Sequence, residues 1–115
     1  MGVAARALPL LVGAAAVVWA CGAPKPKASS LSEGELYTRY CARCHGEDGR
    51  GDPRSVGLNP ALDLTRSALA KRGARQQIYQ RIAFGYGPMP AFSHKLDPRD
   101  IARLTKYSMQ FVETR

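Results

Sequence analysis

The tightest constraint on this 115-residue chain is five residues long: Cys41-Ala42-Arg43-Cys44-His45. Two thiols three positions apart lie on one face of a helical turn, and an imidazole follows directly. Three chemistries use such a pair. A structural zinc site needs four ligands, but the only other cysteine is Cys21 and the only other histidine is His94. A thioredoxin-like redox pair needs a βαβ setting, and no strand pattern surrounds this one. The third is covalent haem attachment. There, two thiols add across the two vinyl groups on one edge of the macrocycle, and the adjoining His reaches the iron from the proximal side. This reading makes Cys41 and Cys44 the thioether sites and His45 an iron ligand. The motif occurs once, which implies a single haem c.

Residues 1–20 read as an export signal rather than as part of a fold. Arg6 supplies a short positive segment, and Leu8 to Ala20 is an uncharged, mostly apolar run of 13 residues that ends in small side chains. That is too short to span a bilayer. Pro9 and Gly13 interrupt it and no amphipathic period is visible, which argues against a buried helix. Val18-Trp19-Ala20-Cys21 resembles a bacterial lipobox, with an aliphatic residue at −3, a small one at −1 and then Cys. The resemblance implies that Cys21 is lipidated and becomes the first mature residue. The alternative is cleavage near Ala20 or Ala23, giving a soluble exported protein with a spare thiol. Lipidation accounts for the third cysteine and gives a stable membrane anchor. Residues 21–30 would then be a lipidated tether. Pro24 and Pro26 keep it extended, Lys25 and Lys27 suit anionic headgroups, and nothing in Ala23 to Ser30 has the character of a core.

The formal charge is +8 and the pI near 9.9, with Lys and Arg scattered along the chain. No nucleic-acid motif appears, so nucleic acid is not an expected partner. A basic surface suits an acidic protein partner or anionic lipid, and two haem propionates would offset part of the excess.

From Leu31 the pattern is that of one small domain. Ser32 and Glu35 form a capping box, and Leu31 and Leu36 are spaced as a hydrophobic staple. An apolar stripe at Leu36, Tyr37, Tyr40, Cys41 and Cys44 runs as one helix into the haem motif. Gly46 to Pro53 is turn chemistry. Leu64 to Lys71 reads as a short helix capped by Asp63 or Thr65, and Arg75 to Phe84 as a firmer one, with Ile78 and Ile82 four apart and Gly85 as its stop. Met89 lies between Pro88 and Pro90 in an aperiodic segment, a loop residue held rigid. His94, in a polar stretch, reads as solvent-exposed, and Met109 as a packed helix residue. Asp97 caps the last helix, Pro98 takes its first position and Leu96 staples to Ile101. Ile101, Leu104, Ser108, Phe111 and Val112 follow a helical period. A neutral His that ligates iron should donate its other N–H to a fixed acceptor.

These residues together resemble a class I (mono-haem) c-type cytochrome, in bacterial lipoprotein form, over Leu31 to Val112. The shared features are an amphipathic helix with Tyr37 four residues before Cys41, the His45–Gly51 match to H-G-x-x-G-x-G, the P-x-L pattern of Pro60 and Leu62, and Gly87–Phe92 as G-x-M-P-A-F. The resemblance implies an all-α fold: a small cytochrome c-like domain, residues 31–115, of three to four helices wrapped around one covalently bound haem. It further implies Met89 as the distal iron ligand, the Pro60 carbonyl as the acceptor for His45, and Leu62 packed on the haem. The C-terminal helix would cross the first, with Glu33 or Gly34 at the contact. Leu62, Ile82 and Phe92 would pack on the macrocycle, leaving the haem-free chain poorly folded. The implied function is membrane-anchored electron transfer rather than catalysis, with the iron cycling between Fe(II) and Fe(III) and with redox-protein partners. The setting is the bacterial cell envelope, on the periplasmic or extracytoplasmic side. Two alternatives stay open: an open-site haem enzyme or gas sensor, and a haem relay subunit of a larger respiratory complex.

Overall fold

A computed structural model describes residues 27–113 and the isolated Gly2. The export signal, Cys21 and most of the tether lie outside the described residues. Five α-helices follow one another: α1 (Glu33–Tyr40), α2 (Ala42–His45), α3 (Ala68–Lys71), α4 (Arg75–Phe84) and α5 (Pro98–Glu113). Among the described residues the only β-type pairing is an isolated bridge between Tyr86 and Met89.

Among the described residues the expected first helix is divided, which brings the α-helices to five, and the expected Leu64–Lys71 helix is shortened. The first breaks at Cys41, whose φ of −119° interrupts the ladder before the single turn of α2 begins. The Leu64–Lys71 segment divides at Ser67 into a 3₁₀ turn and α3. Asp63 Oδ1 accepts from the Thr65 N–H at 3.0 Å, and Ser67 Oγ from the Ala70 N–H at 3.2 Å. Each side chain replaces a helical bond with a local one, so a continuous helix is not favoured there.

At the start of α1 both halves of the capping box are made. Ser32 Oγ accepts from the Glu35 N–H at 3.3 Å, and the Glu35 carboxylate accepts from the Ser32 N–H at 2.8 Å. Hydrogen bonds from Ser32, its hydroxyl first and then its N–H, hold the Glu35 carboxyl below its ordinary value. Leu31 and Leu36 are both buried, as a staple requires. The packed region starts earlier than expected. Ala28–Ser30 forms a 3₁₀ turn and Ala28 packs on the core. The Arg103 guanidinium donates to the Leu31 carbonyl and pairs with the buried Asp100 at 2.9 Å, fastening this entry segment to α5.

The core lies where α1 and α4 meet α5, and it contains Leu36, Tyr37, Ile82, Leu96, Ile101 and Leu104. The Tyr37 ring sits 5.2 Å from that of Tyr107 and 5.0 Å from that of Phe111, distances suited to aromatic packing. Gly34 stands at the crossing of α1 with α5, where a Cβ would meet the Tyr107 hydroxyl at 3.6 Å. Phe92 departs from its expected role. It packs edge-on to Tyr40 at 6.1 Å in the core rather than lining the haem cavity. Asp97 caps α5, accepting from the Asp100 N–H at 2.8 Å.

Candidate haem site

The α1–α2 break sets the thiols. Cys41 occupies the kink, half-buried, and Cys44 lies one turn later, exposed. The Cys44 and His45 N–H groups both donate to the Cys41 carbonyl, at 3.1 and 3.0 Å, so the motif closes as one tight turn. Burial, and secondarily the neighbouring Cys44, pushes the free Cys41 thiol up to about 12. Among the described residues no group of three or more His, Cys, Asp or Glu is gathered to hold a metal, so the pair has no companions there for a zinc site.

The motif opens onto a cavity of about 490 Å³, within the size range of small-molecule and cofactor sites. Cys41, Cys44, His45, Leu62 and Met89 all line it. Ile78 and Ile82 of α4, Leu104 of α5 and Leu64 supply apolar wall, and Leu58 stands at the rim, almost fully exposed. Two thiols, an imidazole, a thioether and apolar walls make a donor set that fits a covalently bound haem. The Tyr37 hydroxyl closes the back, donating to the Gly46 carbonyl at 2.7 Å. Burial, its leading cause, raises the Tyr37 phenol well above its ordinary value.

His45 Nδ1 lies 2.8 Å from the Leu62 carbonyl oxygen. A carbonyl only accepts, so Nδ1 carries the proton and Nε2 keeps a lone pair for a metal. The acceptor is therefore Leu62, not Pro60. Pro60–Leu62 folds as a 3₁₀ turn in which the Pro60 carbonyl already accepts from the Asp63 N–H at 3.1 Å. The turn leaves the Leu62 carbonyl to reach the imidazole. Pro60 itself is exposed and does not line the cavity; it opens the turn that presents Leu62.

Met89 is fixed from both directions. The Tyr86 N–H donates to the Met89 carbonyl at 3.1 Å and the Met89 N–H to the Tyr86 carbonyl at 3.0 Å. Beyond the loop, the Phe92 and Ser93 N–H groups take up two carbonyls of the last turn of α4, of Ile82 and Ala83, at 3.0 Å each. Gly85 has a φ of +81°, and a Cβ there would lie 2.8 Å from the Met89 carbonyl oxygen. The chain can thus fold back on itself at Gly85 and bring the thioether to the cavity. His94 is exposed, and neither it nor Met109 lines the cavity.

Some lining residues escaped sequence reasoning. Among the described residues Arg81 is the one Lys or Arg side chain on the cavity wall, and the ring of Tyr86 lies 3.9 Å from its guanidinium carbon. Its signal was present: 78, 81 and 82 share one face of a helix. Ser55 and Asn59, in a loop without periodicity, carried none.

Residues 31–107 match the family model described as cytochrome c oxidase, cbb3-type, subunit III. The chain is 34% identical over 86 residues to the cbb3-type cytochrome c oxidase subunit FixP of Azorhizobium caulinodans, and 32% identical over 81 residues to the subunit CcoP of Cereibacter sphaeroides. These alignments cover 74% and 70% of this chain but only 28% and 27% of those relatives. Cytochrome c6 of Picosynechococcus is 26% identical over 105 residues, 89% of this chain and 90% of that protein. A solved structure, the KustC0563 c-type cytochrome, superposes with a TM-score of 0.61 at 26% identity, covering 70% of this chain and 98% of that one. Matched in sequence and fold, the chain belongs to the c-type cytochrome family described by the cbb3 subunit III model, whose members carry covalently bound haem c.

Proposed function

We propose that this protein is a membrane-anchored mono-haem electron carrier. Cys41 and Cys44 hold the macrocycle, His45 and Met89 ligate its iron, and Cys21 bears the lipid. Haem iron with His/Met ligation supplies one-electron chemistry at a raised potential. The observation that carries the reading is the convergence of Cys41, Cys44, His45 and Met89 on one apolar cavity.

The chain's own residues have distinct tasks in this account. The Leu62 carbonyl fixes the His45 tautomer and ring orientation. The Tyr86–Met89 bridge and the bonds to Ile82 and Ala83 keep the thioether in place in both oxidation states, which limits rearrangement on electron transfer. Leu62, Leu64, Ile82 and Leu104 exclude water. Residues 1–20 direct export, and residues 21–30 hold the domain, from Leu31 onward, to the outer side of a membrane. A second reading draws on the two oxidase-subunit relatives: the haem acts as a relay inside a larger respiratory complex.

Spectroelectrochemical titration of the purified protein tests the carrier reading. It predicts one reversible, one-electron wave and no turnover of peroxide. Irreversible titration or peroxide consumption would contradict it. For the anchor, Cys21→Ser is expected to move the protein from the membrane to the soluble envelope fraction; an unchanged distribution would remove the lipid from the account. Solubilisation in mild detergent separates the free carrier from a complex subunit by size.

A further inference from the structure

The net charge is carried unevenly. Between Asp63 and Asp97 the chain contains no acidic residue and six basic ones: Arg66, Lys71, Arg72, Arg75, Arg81 and Lys95. That stretch holds six of the formal +8 charges, although the rest of the chain contains eleven basic residues. It comprises α3, α4 and the Met89 loop, and α3 packs on α4, so the sequence segregation becomes a basic lobe. Five of the six cations are exposed, and Arg81 is half-buried.

The same lobe carries exposed aromatic rings. Phe84 is 70% exposed and Tyr86 63%. With Gln77, Gln80 and Arg81 they edge a groove of about 380 Å³ on the outer side of α4. Gln77, Gln80 and Phe84 fall on one helical stripe, away from Ile78 and Ile82, which face the haem cavity. Arg81 and Tyr86 line both spaces, so whatever fills the groove rests against the cavity wall.

We propose that the outer face of α4, with the Tyr86 turn, is the docking site for a redox protein that presents a carboxylate-rich surface around a small apolar patch. The proposal rests on the electron-carrier reading and names its partner's chemistry. Four of the six cations are arginines, whose planar forks bind carboxylates in bidentate fashion. Tyr and Arg are the side chains that dominate interface energetics, and Phe84 and Tyr86 supply the aromatic anchors. The cations around them steer an acidic partner to the point where Arg81 and Tyr86 line both the groove and the cavity. A concave groove edged by two glutamine amides suits a protein surface better than a flat lipid headgroup layer.

The test is stopped-flow oxidation of the ferrous holoprotein by hexacyanoferrate(III), an anion, and by tris(1,10-phenanthroline)cobalt(III), a cation. Arg72→Glu with Arg75→Glu is compared with Arg99→Glu with Lys106→Glu, which makes the same change in net charge on exposed α5 positions outside the lobe. At low ionic strength the lobe pair is expected to slow the anion about tenfold and to accelerate the cation, while the α5 pair changes either rate less than about twofold. Both differences collapse at high salt. In parallel, Phe84→Ala is expected to weaken binding of a glutamate-rich peptide with a central leucine, read as amide shifts at Gln77, Gln80 and Tyr86. Equal effects of the two charge pairs, or peptide shifts that map elsewhere, overturn the proposal. So does binding of phosphatidylglycerol vesicles through the lobe without any peptide shifts there, which assigns it to lipid. A protein that cycles normally with both reagents but shows no dependence on the lobe leaves the carrier reading standing. One that cycles with neither overturns the carrier reading itself.

Discussion

His45 Nδ1 and the Leu62 carbonyl oxygen are 2.8 Å apart, 17 residues distant along the chain. This bond joins the Cys41–His45 motif to the 3₁₀ turn that follows the glycine-rich loop, and it makes the loop's length and folding part of the proposed haem site. The side chain at position 60 has no direct share in it. Pro60→Ala is accordingly expected to cost no more than about 1 kcal/mol, mainly through the unfolded state, and to leave the midpoint potential in place. A large shift in potential would mean that the proline itself sets the imidazole.

Tyr37→Phe keeps the ring contacts with Tyr107 and Phe111 but removes the bond to the Gly46 carbonyl. Leaving a partly buried carbonyl unpaired is expected to cost about 1–3 kcal/mol in chemical denaturation. The pH dependence has a definite sign. The folded state holds the phenol's pKa above its ordinary 10.0. Its contribution is therefore complete below that value and is lost as the pH rises beyond it. The stability gap between wild type and Tyr37→Phe should narrow above pH 10; a constant gap would show that the phenol is not held neutral by the fold.

Gly85 and Gly87 both have positive φ, at 81° and 54°, but only Gly85 is crowded. Gly87→Ala is expected to cost roughly 1 kcal/mol, the backbone penalty alone. Gly85→Ala carries that penalty and also places a Cβ against the Met89 carbonyl, so it should cost several-fold more and weaken Met89 ligation. Denaturation curves and the methionine-dependent ferric absorption band read the two effects separately. Equal behaviour of the two variants would refute the role given to Gly85.

The fold was legible where one residue type forces one outcome. Ser32 with Glu35, Asp97 with Pro98, and Gly85 after Phe84 mark helix ends by local hydrogen bonding or backbone freedom, and the helices begin and end there. That the Cys41–His45 motif and the proline-flanked Met89 belong to one place was legible from their local chemistry, and both line the same cavity. What could not be read depends on contacts distant in sequence or on competition between local bonds. The break at Cys41 lies in one backbone dihedral, the division at Ser67 in side chains that take up backbone N–H groups, and the exchange of Pro60 for Leu62 as hydrogen-bond acceptor in which carbonyl is already engaged. Arg103, reaching from α5 to the Leu31 carbonyl, and Phe92, turned to Tyr40, are tertiary choices without a periodic signal.

Residues of α1, α4 and α5 line the cavity of about 490 Å³, so these walls lack the packing partners that a filled interior supplies. Cys41→Ala with Cys44→Ala, exported without haem, is expected to show no cooperative thermal unfolding by circular dichroism. A sharp, two-state melt of that chain would show that the helices hold together without the macrocycle.

The most direct test of the account is the visible spectrum of the exported protein, ferric and ferrous, with and without carbon monoxide, for wild type and Met89→Ala. The account predicts a low-spin wild-type spectrum with a weak ferric band toward the red end, unmoved by carbon monoxide. In Met89→Ala that band should be lost and carbon monoxide should bind readily. A wild-type protein that is high-spin and binds carbon monoxide, or a Met89→Ala protein with an unchanged ferric band, would contradict His45/Met89 ligation and with it the electron-carrier reading.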